Sequence, residues 1–515
     1  MKSQNRIAQM ILGGWFALYL ASTIVPEAAA QTWTQLFPSG GPPPARVGQS
    51  AVLDSAANRM IVFGGTLFNG VPGPAGLLND VWVLANEDGL GGTPTWAQLS
   101  PSGTPPTRRY GSAAVYDPAT SRMIMYGGDP NAGSCFGAAN DVWVLSLGGT
   151  PAWAQLSPVG GPPQLRQNPT AVYDSANNRM IVYGGNNNAC VPFNSGEVWV
   201  LSNANGLGGT PTWTQLSIAA GPSPAPRVGN NSAYDAATNR MIVFGGGTAA
   251  GNVNDLWVLS NANGLGGTPA WTQLSPTGGP PSARVFSTAV YDPNINRMTL
   301  FGGVSNVELN DVWVLTNANG LAGTPTWMQL SPTGGPPAAR DEHTAVLNLA
   351  SNRMNVYAGR GCGSAGCQLG DTWVLTDANG FVFFSAFNAK VEIALGPFAN
   401  DDKFDVNATF SLGAESDGIN PLTEDVSLKV GAFSTTIPAG SFIFHPAKPK
   451  KPAQFTFEGV VAGVALEAKI IPVGANTFQF KAEGKGAELT GTVNPVTLGL
   501  TIGNDSGSAS VTAEF

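Results

Sequence analysis

Arginines recur in this sequence at a spacing that invites a chemical reading. Twelve of the 14 between residues 31 and 380 occupy two positions of a six-fold pattern. One set, Arg46, Arg109, Arg166, Arg227, Arg284 and Arg340, follows Pro-rich loops and precedes apolar runs. Its forked donors would suit carboxylates or sugar acids as ligands. They would equally suit ion pairs inside the protein, because six acids keep step with them: Asp80, Asp141, Glu197, Asp255, Asp311 and Asp371. A buried arginine is seldom left unpaired. The other set, Arg59, Arg122, Arg179, Arg240, Arg297 and Arg353, stands five residues after an Asp or Asn. A local ion pair or hydrogen bond across a tight turn accounts for that spacing.

Other reactive chemistry is sparse. The chain holds two histidines, His343 and His445, far apart in sequence, so a His/Cys metal site lacks ligands. No G-x-S-x-G nucleophile motif occurs. No cofactor is expected. The net charge of −8, without a basic cluster of the kind phosphate backbones need, excludes nucleic acid as a partner. Asparagine-rich turns such as NANG at 203–206 and DANG at 377–380 lack the carboxylate density of a calcium loop and read as turn chemistry.

The elements that would position these residues follow from the repeat. An acid precedes a Trp-Val-Leu run six times, at Trp82, Trp143, Trp199, Trp257, Trp313 and Trp373. A glycine pair closes the preceding apolar run in five copies, from Gly64-Gly65 to Gly302-Gly303, and the sixth has Ala358-Gly359. A second set of tryptophans, Trp96, Trp153, Trp213, Trp271 and Trp327, follows the first, and its sixth member, Trp33, stands alone before the first unit. With strands named a, b, c and d along each unit, six a-b-c sets and six offset d strands result. An N-terminal d strand that pairs with the last a-b-c set closes a ring and removes its open edges. The expected fold is all-β: a six-bladed propeller over residues 31–380.

The glycine pair after strand b, the later Trp and four strands per unit resemble the Kelch repeat family over about two thirds of the chain. In that family strand a lines the central channel, so the resemblance implies that Arg46, Arg109, Arg166, Arg227, Arg284 and Arg340 ring one mouth. The third residue after each varies: Gln49, Ser112, Pro169, Asn230, Ser287 and His343. Variation at a mouth is where a ligand is read, and Asp341, Glu342 and His343 make the sixth blade the most polar. The six arginines with Glu342 and His343 are therefore the expected ligand-binding residues, on the face of the b–c and d–a loops. The copper oxidases built on such blades need paired His ligands, which one propeller histidine does not supply. The alternative function is that of the Kelch-type sugar mutarotases, an isomerase using an acid–base pair at the mouth.

Lys2 and Arg6, the uncharged apolar run from Ile7 to Val25 and then Ala28-Ala29-Ala30 give the order of a secretory signal cleaved after Ala30. The run is also long enough for an uncleaved anchor; Gly13-Gly14 and the alanines favour cleavage. The expected site of action is outside the cytoplasm, secreted, periplasmic or at the cell surface. In such a chain the four cysteines read as disulfides, Cys135 with Cys190 and Cys362 with Cys367.

Past residue 380 arginine and tryptophan stop, and nine lysines appear. Residues 381–515 alternate polar and apolar in short runs, which predicts an antiparallel β-sandwich, with a Pro/Lys-rich loop at 445–454. Taken together, the chain reads as a binding module for an extracellular or cell-surface protein or glycan, with no membrane span once the signal is removed.

Overall fold

The computed structural model describes residues 31–67, 76–131, 137–187, 194–321, 323–361, 367–380, 382–398, 400–413, 416, 418–449, 451–503 and 505–515. The leader at 1–30 and Cys135, Cys190 and Cys362 lie outside the described residues.

Six four-stranded antiparallel sheets form the propeller. In blade 1 strands a to d are Ser50–Asp54, Arg59–Phe63, Val81–Ala85 and Thr95–Leu99. Strand b, Arg59–Phe63, is buried on both faces because it lies mid-sheet between neighbouring blades; its continuous apolar run follows from that position. Strand a alternates buried and half-buried residues along the channel. Blade 6 is completed from the other end of the domain: Trp33–Leu36 pairs antiparallel with Cys367–Leu375, Trp33 opposite Leu375 and Gln35 opposite Trp373.

Adjacent blades are held by three repeated contacts. First, each strand-d tryptophan is buried on the last aromatic of strand b in the preceding blade. Trp96 meets Tyr357, Trp153 Phe63, Trp213 Tyr126, Trp271 Tyr183, Trp327 Phe244 and Trp33 Phe301, at ring separations of 4.9 to 5.3 Å. These are favourable tilted or edge-on aromatic contacts.

Second, the NANG turns are locks. Each first residue takes the left-handed conformation that Asn tolerates. Each third residue, Asn205, Asn263, Asn319 or Asn379, donates from Nδ2 to the turn acid of the preceding blade: Asp117, Asp174, Asp235 or Asp292, at 2.7 to 2.8 Å. Third, the turn arginines reach across rather than back. Arg122, Arg179, Arg240, Arg297 and Arg353 donate to the carbonyls of Asn205, Asn263, Asn319, Asn379 and Asp88 in the next blade. Arg59 reaches the Leu147 carbonyl of the next blade at 3.4 Å and adds the expected local pair, donating to Asp54 at 2.8 Å. The reason is the shortened turn at Ser146–Gly149, which brings no asparagine to Asp54.

The joint between blades 6 and 1 reverses the pattern. Its carboxylate, Glu87, sits on the blade 1 side, buried where the other long turns have alanine, and the blade 6 turn carries Asn348 instead of Asp. Asn348 donates to Glu87 Oε1 at 3.1 Å, and Asn355 to the Glu87 carbonyl at 2.6 Å. Burial pushes the Glu87 carboxyl up to about 7, against the lowering hydrogen bond from Asn348. A folded pKa above the unfolded value favours the protonated form on folding. Its stabilisation is complete below about pH 4.5 and is lost as pH rises through about 7. Glu87→Gln is therefore expected to flatten the fall in thermal stability between pH 5 and pH 8, by an amount on the order of 2 kcal/mol. Unchanged melting curves across that range would contradict it.

The remaining residues form two stacked-sheet elements of a sandwich. One sheet has five strands, in the order Val382–Phe383, Asp505–Val511, Val496–Ile502, Val426–Val430 and Phe433–Ile437. The other has six: Ala386–Ala394, Asp402–Ser411, Thr477–Ala487, Val464–Pro472, Gln454–Val461 and Ile443–His445. Strict alternation in Asp402–Ser411 sends Phe404, Val406, Ala408 and Phe410 inward, where they join Ile470, Phe480, Leu498 and Leu500 in one core. The sandwich departs from the antiparallel expectation at one place, where Val382–Phe383 runs parallel to Asp505–Ser506. Among the described residues no helix is long and apolar enough to cross a membrane.

Candidate functional site at the channel mouth

The d–a and b–c loops meet on one face, joined blade by blade. The residue after each loop arginine bridges the residue after the strand-b pair: Val47 with Thr66, Tyr110 with Asp129, Gln167 with Asn186, Val228 with Gly247, Val285 with Val304 and Asp341 with Arg360. Arg46, Arg109, Arg166, Arg227, Arg284 and Arg340 end the d–a loops on this face, and the sequence left their direction open.

All six turn inward and are at most 1 % exposed. Arg46 forks onto Asp80 at 2.7 and 2.9 Å and also donates to the Gly64 carbonyl. Arg109, Arg227, Arg284 and Arg340 repeat this on Asp141, Asp255, Asp311 and Asp371. Arg166 makes a single bond to the longer Glu197, at 2.7 Å. Each acid also accepts from the indole of the tryptophan two residues on, at 2.7 to 3.0 Å. Residues two apart share a strand face, so the acid-x-Trp spacing is the geometry of this shared acceptor. Burial alone would raise the carboxyls of Asp80, Asp141, Asp255, Asp311 and Asp371. The arginine and indole donors outweigh it and hold them below the ordinary carboxylate range. The expected ligand role of the six arginines is corrected accordingly: their forks are occupied, and they tie each loop to its own blade.

The residue two after each arginine builds the mouth itself. Gly48, Gly111, Asn168, Gly229, Phe286 and Glu342 all have φ between 49° and 63°. Each donates its N–H to the carbonyl of the equivalent residue in the preceding blade, 2.7 to 3.4 Å away, and Gly48 closes the circle onto Glu342. Six backbone hydrogen bonds thus run round the axis. The left-handed region is costly for a residue with a side chain, and most of all for a bulky one such as phenylalanine. Three blades obey that rule with glycine; three do not.

Side chains from neighbouring blades roof the glycines. A Cβ on Gly48 would lie 3.1 Å from the Tyr110 ring, and one on Gly229 would lie 2.6 Å from the Phe286 ring. A Cβ on Gly111 would collide with Asn168 Oδ1. Tyr110 therefore covers blade 1 and Phe286 covers blade 4, on opposite sides of the axis. Burial first, then the carboxylates of Asp129 and Glu342, push the Tyr110 phenol up, so it stays a hydroxyl.

Below this circle lies a cavity of about 210 Å³ lined by the starts of the a strands, including Ser112, Thr170, Asn230, Ser232, Thr288 and His343. His343 is part of its wall. Its Nε2 shares a 2.8 Å hydrogen bond with Thr288 Oγ1, and its ring stands edge-on to Phe301 at 5.1 Å. Burial, then the Arg340 charge, holds its pKa well below the ordinary value, so the imidazole is neutral. Glu342 stands at the mouth, 15 % exposed. Burial pushes its carboxyl up to about 7 against the opposing charge of Arg360. Cys367 opens strand c of blade 6, opposite Gly361.

Comparison with known proteins agrees with the repeat. The family model "KLHDC2/KLHL20/DRC7 Kelch-repeats domain" matches residues 8–206 and 208–379. Adagio protein 3 of Arabidopsis thaliana is 28% identical over 270 residues, 51% of this chain and 39% of the relative. Adagio-like protein 1 of Oryza sativa subsp. japonica is 26% identical over 382 residues, 71% of this chain and 53% of the relative. The chain thus spans about half or less of the length of these relatives. The solved structure of YjhT is 12% identical, covers 66% of this chain and 97% of its own, and superposes with a TM-score of 0.43. By its six copies of the glycine-paired, tryptophan-bearing blade and by this family match, the chain belongs to the Kelch-repeat family.

Proposed function

We propose that this chain is an extracytoplasmic protein-interaction module whose partner docks on the face formed by the b–c and d–a loops. One observation carries the reading. At a single left-handed backbone position that glycine fills in three blades, two others accept strain to display Phe286 and Glu342 at the mouth, and the sixth carries Asn168, which that conformation tolerates. Strain kept at one rim is a mark of function, and the family's repeats give the propeller the form of an interaction module. The relatives' own partners do not transfer, since the match covers only part of each.

Placement outside the cytoplasm rests on the leader sequence, and so do the pairings Cys135–Cys190 and Cys362–Cys367. A mature protein whose first residue is not Gln31 would remove that part of the reading. For the face itself, a photo-crosslinking amino acid in place of Phe286 should capture a partner from the exported fraction. The same group in place of exposed Phe398, in the sandwich, should not. Equal capture at both positions, or capture from Phe398 alone, would place docking elsewhere.

A further inference from the structure

Hydrogen-bonding capacity around the mouth is lopsided. Among the described residues, the nearest cation to Glu342 is the Arg360 guanidinium at 3.9 Å, and that fork is already committed to Asp341 at 3.0 and 2.5 Å. Buried Gln49 and Asn230 each leave the side-chain oxygen without a partner. Gln49 is oriented by its Nε2, which donates to the Tyr357 carbonyl at 3.3 Å, a group that can only accept, and the Asn230 amide meets the Thr170 hydroxyl at 3.2 Å. Asn230 lines the cavity directly beneath. The acceptors here are thus two buried amide oxygens and a carboxylate. Above it stand the Tyr110 and Phe286 rings, from opposite sides of the axis.

An anion would meet the Glu342 carboxylate, whose nearest cation, Arg360, is already committed to Asp341. A neutral sugar would leave the carboxylate uncompensated. A guanidinium is planar, positive and made only of donors, and it stacks on aromatic faces. We propose that the mouth takes the guanidinium of an arginine displayed by the partner protein, its stem between the Tyr110 and Phe286 rings and its head on Glu342. This rests on the docking face proposed above and names the chemistry that the face selects.

The test is a calorimetric titration of the full chain with capped Gly-Arg-Gly, against capped Gly-citrulline-Gly as the neutral isostere. The arginine peptide should bind about tenfold more tightly, the value of one such contact. Glu342→Gln should reduce it to the citrulline level. Phe286→Gly should also weaken binding while leaving the melting temperature unchanged or higher, since glycine relieves the left-handed strain. Arg360, Asp341 and Tyr110 are the charged or titratable groups facing Glu342, and with its carboxyl near 7 the arginine peptide should bind about tenfold less tightly at pH 6 than at pH 8. Equal affinity for the two peptides, or no response to Glu342→Gln, would overturn the proposal. If neither peptide binds while position 286 still crosslinks a partner, the guanidinium is wrong and the docking face stands.

Discussion

Replacing Trp33 by alanine is expected to destabilise the propeller by about 3–5 kcal/mol, the range for emptying a buried tryptophan site. Trp33 is buried against Phe301 in the neighbouring blade, with Val290, Val312, Met354 and Leu375 in the same cluster. Its strand also pairs along the outer edge of strand c of blade 6, through the register from Trp33 to Leu36. Removing residues 31–37 should therefore do more than the point change. It leaves a row of unpaired backbone groups on an edge that invites pairing between molecules, so aggregation should accompany the lower melting temperature. Chemical denaturation of Trp33→Ala and light scattering of the truncated chain would show both. A variant as stable as the parent would mean that the circle is closed by something other than this strand.

The second large effect is expected at the acids that hold the loop arginines. Asp255→Ala leaves Arg227 buried with a full charge, its remaining protein bonds going to the carbonyls of Gly245 and Ala225. It also takes the acceptor from the Trp257 indole. Stranding a buried charge costs about 3–5 kcal/mol. The lower end applies here, because the Asp255 carboxylate borders solvent at 23 % exposure. Changing both partners, Arg227→Met with Asp255→Leu, should cost much less than Asp255→Ala, since neither charge is then left alone. The comparison separates the two roles once open to these arginines. If they served a ligand, Asp255→Ala would alter binding and spare stability; as ion-pair anchors they do the reverse. Urea midpoints of the single and double variants decide it.

Much of this was legible in the residues, because the repeat writes each contact six times. Offset tryptophans implied a ring closed by its first strand, and Trp33 opposite Leu375 is that closure. The acid-x-Trp spacing and the matching arginines implied ion pairs. What escaped was direction and distance. Guanidiniums that line a mouth and guanidiniums that turn away from it follow the same Pro-rich loop. The turn arginines looked local because their Asp lies five residues away, yet most reach a carbonyl about 80 residues on. Nothing in a single repeat names that partner.

At the mouth, Glu342 was singled out but its equivalents in the other blades were not. Variation three residues after each arginine drew attention to His343, which proves to be wall. The informative position lies one residue earlier, where Gly48, Gly111 and Gly229 alternate with Asn168, Phe286 and Glu342. Glycine in half the copies was a usable signal for a left-handed backbone, and the other three then become exceptions that need a reason. In the sandwich, Phe433–Ile437 and Ile443–His445 are strands that the residues announce weakly. Phe433–Ile437 holds three hydroxyl-bearing residues, Ser434, Thr435 and Thr436, and the short Ile443–His445 leads into the Pro/Lys-rich loop, so neither shows a strong apolar alternation.

The most direct measurement takes the triple variant Asn168→Gly, Phe286→Gly and Glu342→Gly and records its melting temperature alongside its affinity for the partner that position 286 crosslinks. With left-handed strain relieved at Phe286 and Glu342, the melting temperature should hold or rise while binding disappears. Undiminished binding, or a collapse of the fold, would mean that these three side chains serve the scaffold and not the partner.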